Sequence, residues 1–224
     1  MIYRGSCALI GYLIAKMNEA DAITLLMDSS LAMHNAGKPL MRRVLPDDEI
    51  PMWEHYPDED VVNGPLFCRY FYHCHPPEER EWGEHGHFHL FVGKAAMPKG
   101  TRPLIKGPKG KKRRPKVVHI AALSVDANGM PIRWFTINRW VTDEYLYGTS
   151  DIAALLAQFD LRGENGDPLV NDWLTAMVQL SRRDIAELLE ERDAKLAQHD
   201  PSGEDRDFEI LSSRAIDLAA LVDS

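Results

Sequence analysis

Between His73 and His89 the chain places five imidazoles in seventeen residues: His73, His75, His85, His87 and His89. Imidazole is the commonest metal ligand and the side chain whose charge changes near neutral pH, so this density points to a site. Spacing adds geometry, because side chains two apart on a strand share a face. Pro65 to His75 is rich in aromatic and β-forming residues, Glu84 to Val92 reads as a second strand, and the polar segment Pro76 to Gly83 joins them as a hairpin. Arg69, His73 and His75 share one parity with Phe67 and Phe71, while His85, His87 and His89 share a face of the second strand. If the two faces coincide, up to five imidazoles converge on one patch of sheet, where burying them unpaired would be costly.

The expected ligand set is His73, His75, His87 and His89 around one transition metal ion, with His85 and His119 as additional candidates behind His87 and His89. Glu79 or Glu84 would be a further ligand or a general base. Four nitrogen donors suit iron or copper better than magnesium or calcium, and zinc would bring hydrolysis with it. Cys74 has the opposite parity and is left out of the site; Cys68 reads as a core cysteine.

The elements that must hold this patch follow from periodicity. Lys16 to about Asn35 repeats apolar residues at helical spacing, and Gly37 to Pro39 ends the pattern. Val44 to Asn63 is Pro- and acid-rich and reads as an irregular wrap anchored by Trp53 and Tyr56. Val117 to Val125 and Pro131 to Val141 are alternating runs separated by Asp126-Ala127-Asn128-Gly129, a strong hairpin-turn signal. The last third reads as helices over Thr149 to Phe159, Pro168 to Gln198 and Phe208 to Val222. The expected fold is therefore α+β, an antiparallel four-stranded sheet or half-barrel flanked by N- and C-terminal helices. We expect one domain over 1–224, with the N-terminal helix and wrap at 17–64, the sheet at 65–142 and the C-terminal helices at 149–224.

Composition narrows the class. With 224 residues, 45% hydrophobic and 27% charged, the chain can bury one substantial core and is neither disordered nor fibrous. Three cysteines, Cys7, Cys68 and Cys74, make no disulfide framework, so a cytoplasmic location is expected. The run Cys7 to Ala15 after Arg4 resembles a short signal-peptide core, but it lacks a small-residue cleavage site and is too short to span a bilayer; Met17 is an alternative start. The net charge of −8 hides an asymmetry: Lys99 to Lys116 carries 9 of the 26 basic residues, leaving 17 basic against 34 acidic elsewhere. The glycines and prolines in 93–116 make that segment a loop.

Three resemblances bear on function. His73-x-His75, Glu79 and Gly86 are similar to the first motif of cupin barrels, H-x-H, three residues, E, six residues, G; the glycine before the histidine pair and the second cupin motif are missing. His87-Phe88-His89-Leu90-Phe91-Val92 looks like the metal-binding strand of HUH endonucleases, which would imply Tyr145 or Tyr147 as nucleophile and the loop Lys99 to Lys116 as a phosphate contact. Those tyrosines sit in an acidic turn without a neighbouring lysine. Tyr72-His73-Cys74-His75, Glu84 to Phe91 and Asn138-Arg139-Trp140-Val141-Thr142 together resemble an uncharacterised bacterial protein family over roughly Tyr56 to Gln198, which carries no assigned activity.

The combined expectation is a metal-dependent oxidoreductase on a small-molecule substrate. Arg69, Asn138 and Arg139 are candidate contacts to a substrate carboxylate or phosphate, with Arg139 also a candidate catalytic group. The alternatives are the nuclease or nucleic-acid-binding protein and a non-enzymatic metal or haem sensor. No membrane span is expected, and the oligomeric state is left open.

Overall fold

The computed structural model describes residues 16–46, 52–107 and 116–222. The apolar run at Cys7 to Ala15, Cys7 itself and the central part of the basic loop, 108–115, lie outside the described residues. Six strands form one sheet in the order in which they occur along the chain: β1 Tyr56–Asn63, β2 Cys68–His73, β3 Gly86–Gly93, β4 Val117–Val125, β5 Pro131–Ile137 and β6 Ile210–Ala215. Every neighbouring pair is antiparallel. The expected α+β class with flanking helices is what is observed, but the sheet has six strands and not four. The two additional ones are its edges. β1 falls in the stretch read as an irregular wrap, because Pro57-Asp58-Glu59-Asp60 shows no apolar alternation. β6 falls in the stretch read as a helix; there the backbone of β5 supplies partners for Ile210 to Ala215, and only α7, Leu218–Val222, is helical.

The helices are α1 Glu19–Asn35, α2 Leu40–Val44, α3 Arg139–Thr142, α4 Thr149–Leu156, α5 Pro168–Leu180, α6 Arg182–His199 and α7. α1 starts where the Asn18 side chain accepts from the Asp21 N–H, and α5 starts where Asp167 accepts from Leu169 and Val170, with Pro168 in the first turn. The single helix expected over Pro168 to Gln198 is two, meeting at Ser181 (φ −95°, ψ 13°), a buried residue whose break no glycine or proline announces.

One face of the sheet carries the main core. Tyr70, Tyr72, Phe88, Leu90, Ile120, Leu123 and Trp134 pack there against Leu26 and Met33 of α1, Ile152 of α4, Trp173 and Met177 of α5 and Leu188 of α6. The β4–β5 turn is as expected: Asp126 accepts from the N–H groups of Asn128 and Met130, and Gly129 adopts φ +83° with Leu40 packed where a side chain would begin. Among the described residues no helix is long and apolar enough to cross a membrane. Cys68 and Cys74 are buried free thiols.

Candidate metal centre

The histidines occupy the opposite face. Across β2 and β3, His73 pairs with His87 and Phe71 with His89; across β3 and β4, His87 pairs with Ser124 and His89 with Ala122. The histidine-bearing faces of β2 and β3 therefore coincide, and His73, His87 and His89 each offer a ligand atom within 4.8 Å of the others. This triad could hold a metal ion.

The surroundings of His73, His89 and His119 favour neutral imidazoles. Burial, reinforced by His87 and His75, pushes His73 down to about 2. His89 is held well below its ordinary value by burial and by His87, and His119 falls to about 3 through burial and the Arg192 charge. Unprotonated imidazole is the form that ligates.

Two partners behind the triad fix its ring orientations. Glu84, itself buried, lies 3.3 Å from His87 Nδ1 and accepts from the Ser124 hydroxyl. Burial works to raise the Glu84 carboxyl, but the bonds from His87 and Ser124 hold it below its usual value, so it is a carboxylate. A carboxylate only accepts; Nδ1 of His87 is therefore the donor, which leaves Nε2 facing the site. His89 Nδ1 lies 3.1 Å from His119 Nε2, which leaves His89 Nε2 for the site. His73 Nε2 lies 2.7 Å from His87 Nε2. A tetrahedral zinc with Zn–N bonds of ~2.0–2.1 Å sets its nitrogens ~3.3 Å apart, so the two nitrogens need separate by about 0.6 Å.

A bulge brings His119 to this face. β4 shifts register opposite Leu90 and Phe91, leaving Ile120 unpaired in the ladder, so that His119 and Ala122, three apart, point the same way. Simple alternation through Ala122 and Ser124 would have sent His119 into the helix-covered core.

The other expected residues are placed as follows. His75 is half-buried, its ring 5.2 Å from that of His87 and 4.3 Å from Trp53. His85 leaves the cluster: its Nδ1 is 2.6 Å from the Tyr72 hydroxyl, where Gly86 makes room, since a side chain at 86 would collide with Tyr72. Glu79 is exposed in a single 3-10 turn, Pro77–Glu79. Arg69 bonds Asp60 at 3.1 Å. Asn138 and Arg139 are not on β5, which ends at Ile137; Asn138 caps α3, and its amide donates to Asp200 and to the carbonyl of Phe208. Arg139 is buried between Asp143 and Glu204. These bonds take its two terminal nitrogens, and the one to Glu204 ties it to the 200–208 loop. Tyr147 is buried in the helix-side core, while Tyr145 lies under the Lys94 ammonium.

Sequence reasoning missed His55, stacked on Phe71 at 3.7 Å and 6.3 Å from His73. It also missed Ser124. His55 sits just before an edge strand with no apolar pattern, and Ser124 lies 40 residues from its partner, Glu84. Two exposed tryptophans flank the triad: Trp53 over His75, and Trp82 against Phe135, whose ring is 5.1 Å from His87.

A family model, described as a domain of unknown function (DUF6969), matches residues 20–216. The chain belongs to the DUF6969 family. The match takes in all six strands of the sheet in this DUF6969 protein, and the histidine triad with them. No curated protein and no solved structure matches.

Proposed function

We propose that this DUF6969 protein is a mononuclear transition-metal enzyme, an oxidoreductase acting on a small organic substrate at His73, His87 and His89. The observation that carries the proposal is the convergence of three imidazoles within 4.8 Å, two of them backed by a dedicated partner. Random burial of histidine does not supply such partners, whereas ligating histidines ordinarily donate their second N–H to a carboxylate or another acceptor. Three nitrogen donors leave positions free on iron or copper, and the bound metal would supply electron transfer to or from a substrate held beside it.

The chain's own residues do the rest. Glu84 orients His87, and Ser124 orients Glu84. His119 orients His89. Phe71, Phe91 and Phe135 keep water from the buried side, and the half-buried His73 marks the open one. Glu84, committed to His87 and Ser124, is a positioning group in this scheme and not the general base.

A second reading is zinc-dependent hydrolysis. It is favoured by the absence of a carboxylate from the triad and by Glu84 standing behind His87, an arrangement found around catalytic zinc. Elemental analysis and a visible spectrum of protein purified without a His tag, beside the variant His87→Ala/His89→Ala, decide between them. Stoichiometric iron or copper, lost in the variant, is expected. Stoichiometric zinc moves the assignment to hydrolysis, and no metal even after reconstitution overturns the metalloenzyme.

A further inference from the structure

A concavity of about 570 Å³ opens at the far end of the histidine face, where β1, β2 and the stems of the 94–116 connection meet. Val62, Phe67 and Val117 give it an apolar wall, and Arg69, Lys94 and Lys116 give it three cations. Asp60 takes one Arg69 nitrogen; Arg69 Nε is buried and has no hydrogen-bond partner among the described residues. Lys94 and Lys116 face each other across the last rung of the ladder, the Lys94 N–H donating to the Lys116 carbonyl at 2.8 Å. Three positive groups held around one hollow repel each other, and an anion placed among them relieves that.

The wall carries its own signal. Phe67 is 53% exposed, yet sits at φ +51°, the left-handed region that a bulky residue avoids. Its ring and Cβ lie over Gly93, where a side chain would collide with it. A strained, solvent-facing aromatic beside three cations, of which Arg69 meets Asp60 and Lys94 lies over the Tyr145 ring, fits a ligand with an apolar body better than it fits packing, because strain of this kind persists mainly at binding sites.

We infer that this hollow binds a small organic anion, a carboxylate or phosphate monoester with an apolar body, its charged end among Arg69, Lys94 and Lys116 and its body against Phe67 and Val117. Arg69 lies four residues before His73 on the same face of β2, ~13 Å away along the strand. Phe71 bridges the gap, packed against Phe91 and Val117 with its ring 5.0 Å from that of His89. As the anchor for the substrate of the metal centre the hollow depends on the function proposed above; as an anion site it does not.

The test uses octanoate and phenyl phosphate as probes, octanamide as the neutral control, and calorimetric titration of the full chain. At least one anion is expected to bind about tenfold or more tightly than octanamide, and to weaken by about tenfold in Arg69→Gln and severalfold in Lys116→Ala. Whether octanoate or phenyl phosphate binds better names the headgroup. Equal binding of octanamide, or anion binding unchanged in both variants, overturns the site. Lys116 is exposed, so its variant keeps the test available if Arg69→Gln does not fold. Repeating the titration in His87→Ala separates the two ideas: anion binding persists there even if no metal is ever found.

Discussion

The two faces of one sheet obey different rules. On the helix-covered face, Tyr70, Phe88, Leu90 and Leu123 are large and apolar and meet the helices, and apolar side chains of similar volume are tolerated best there. On the other face, the same strands carry His73, His87, His89, His119 and Ser124, nearly all buried, each defined by a particular nitrogen or oxygen partner. The difference teaches that alternation on a strand can separate stability from chemistry residue by residue, so Phe88 and its neighbours His87 and His89 have opposite duties.

Substitutions can break that division. The largest effect expected is Phe88→Ala, which removes a fully buried ring and should cost ~3–5 kcal/mol in denaturant unfolding while leaving the triad's ligands in place. If His87→Ala cost as much in the metal-free protein, the histidine face would be ordinary core and the contrast would fail.

Acid should act through the histidine face. His73, His89 and His119 have folded values below the ordinary 6.5, so the unfolded chain takes up protons first as pH falls. Stability is then fully present above about pH 6.5 and is lost progressively below it, by ~1.4 kcal/mol per pH unit for each imidazole kept neutral. Urea midpoints at pH 7 and pH 5 measure this, and His89→Ala should flatten the slope.

Glu84→Gln sharpens the comparison further. Replacing the carboxylate behind His87 should lower metal affinity by ~10–100-fold with little change in fold, measured by competition with a chelator. An unchanged affinity would mean that Glu84 serves Ser124 alone. The smallest effect belongs to Tyr72→Phe, which deletes the bond to His85 and should cost ~0.5–1.5 kcal/mol without touching metal content. Metal loss in that variant would put His85 back with the site.

How much could be read from the sequence follows the same division between centre and edge. β3 and β4 were plain as β-rich runs from Glu84 to Val92 and from Val117 to Val125, and parity put His73 with His75 on one face and His87 with His89 on another, but that His73 stands opposite His87 is seen only in the sheet register. β1 and β6 were not, because edge strands are kept polar: Asp58, Glu59 and Asp60 in one, Ser212, Ser213 and Arg214 in the other. Arg139 and Asn138 looked like substrate contacts because a sequence cannot show that residues far along the chain, Glu204 and Asp200, will claim them. His85 was misplaced by parity, since β3 begins only at Gly86.

The unpaired Ile120 divides β4 into two reading frames: residues before it and after it present opposite parities to the same face. Substitutions around it can be absorbed one at a time, but deleting a single residue there would merge the frames, turning His119 into the helix core and Val118 out onto the metal side. The histidine face thus depends on chain length at one point as strictly as it depends on residue identity elsewhere.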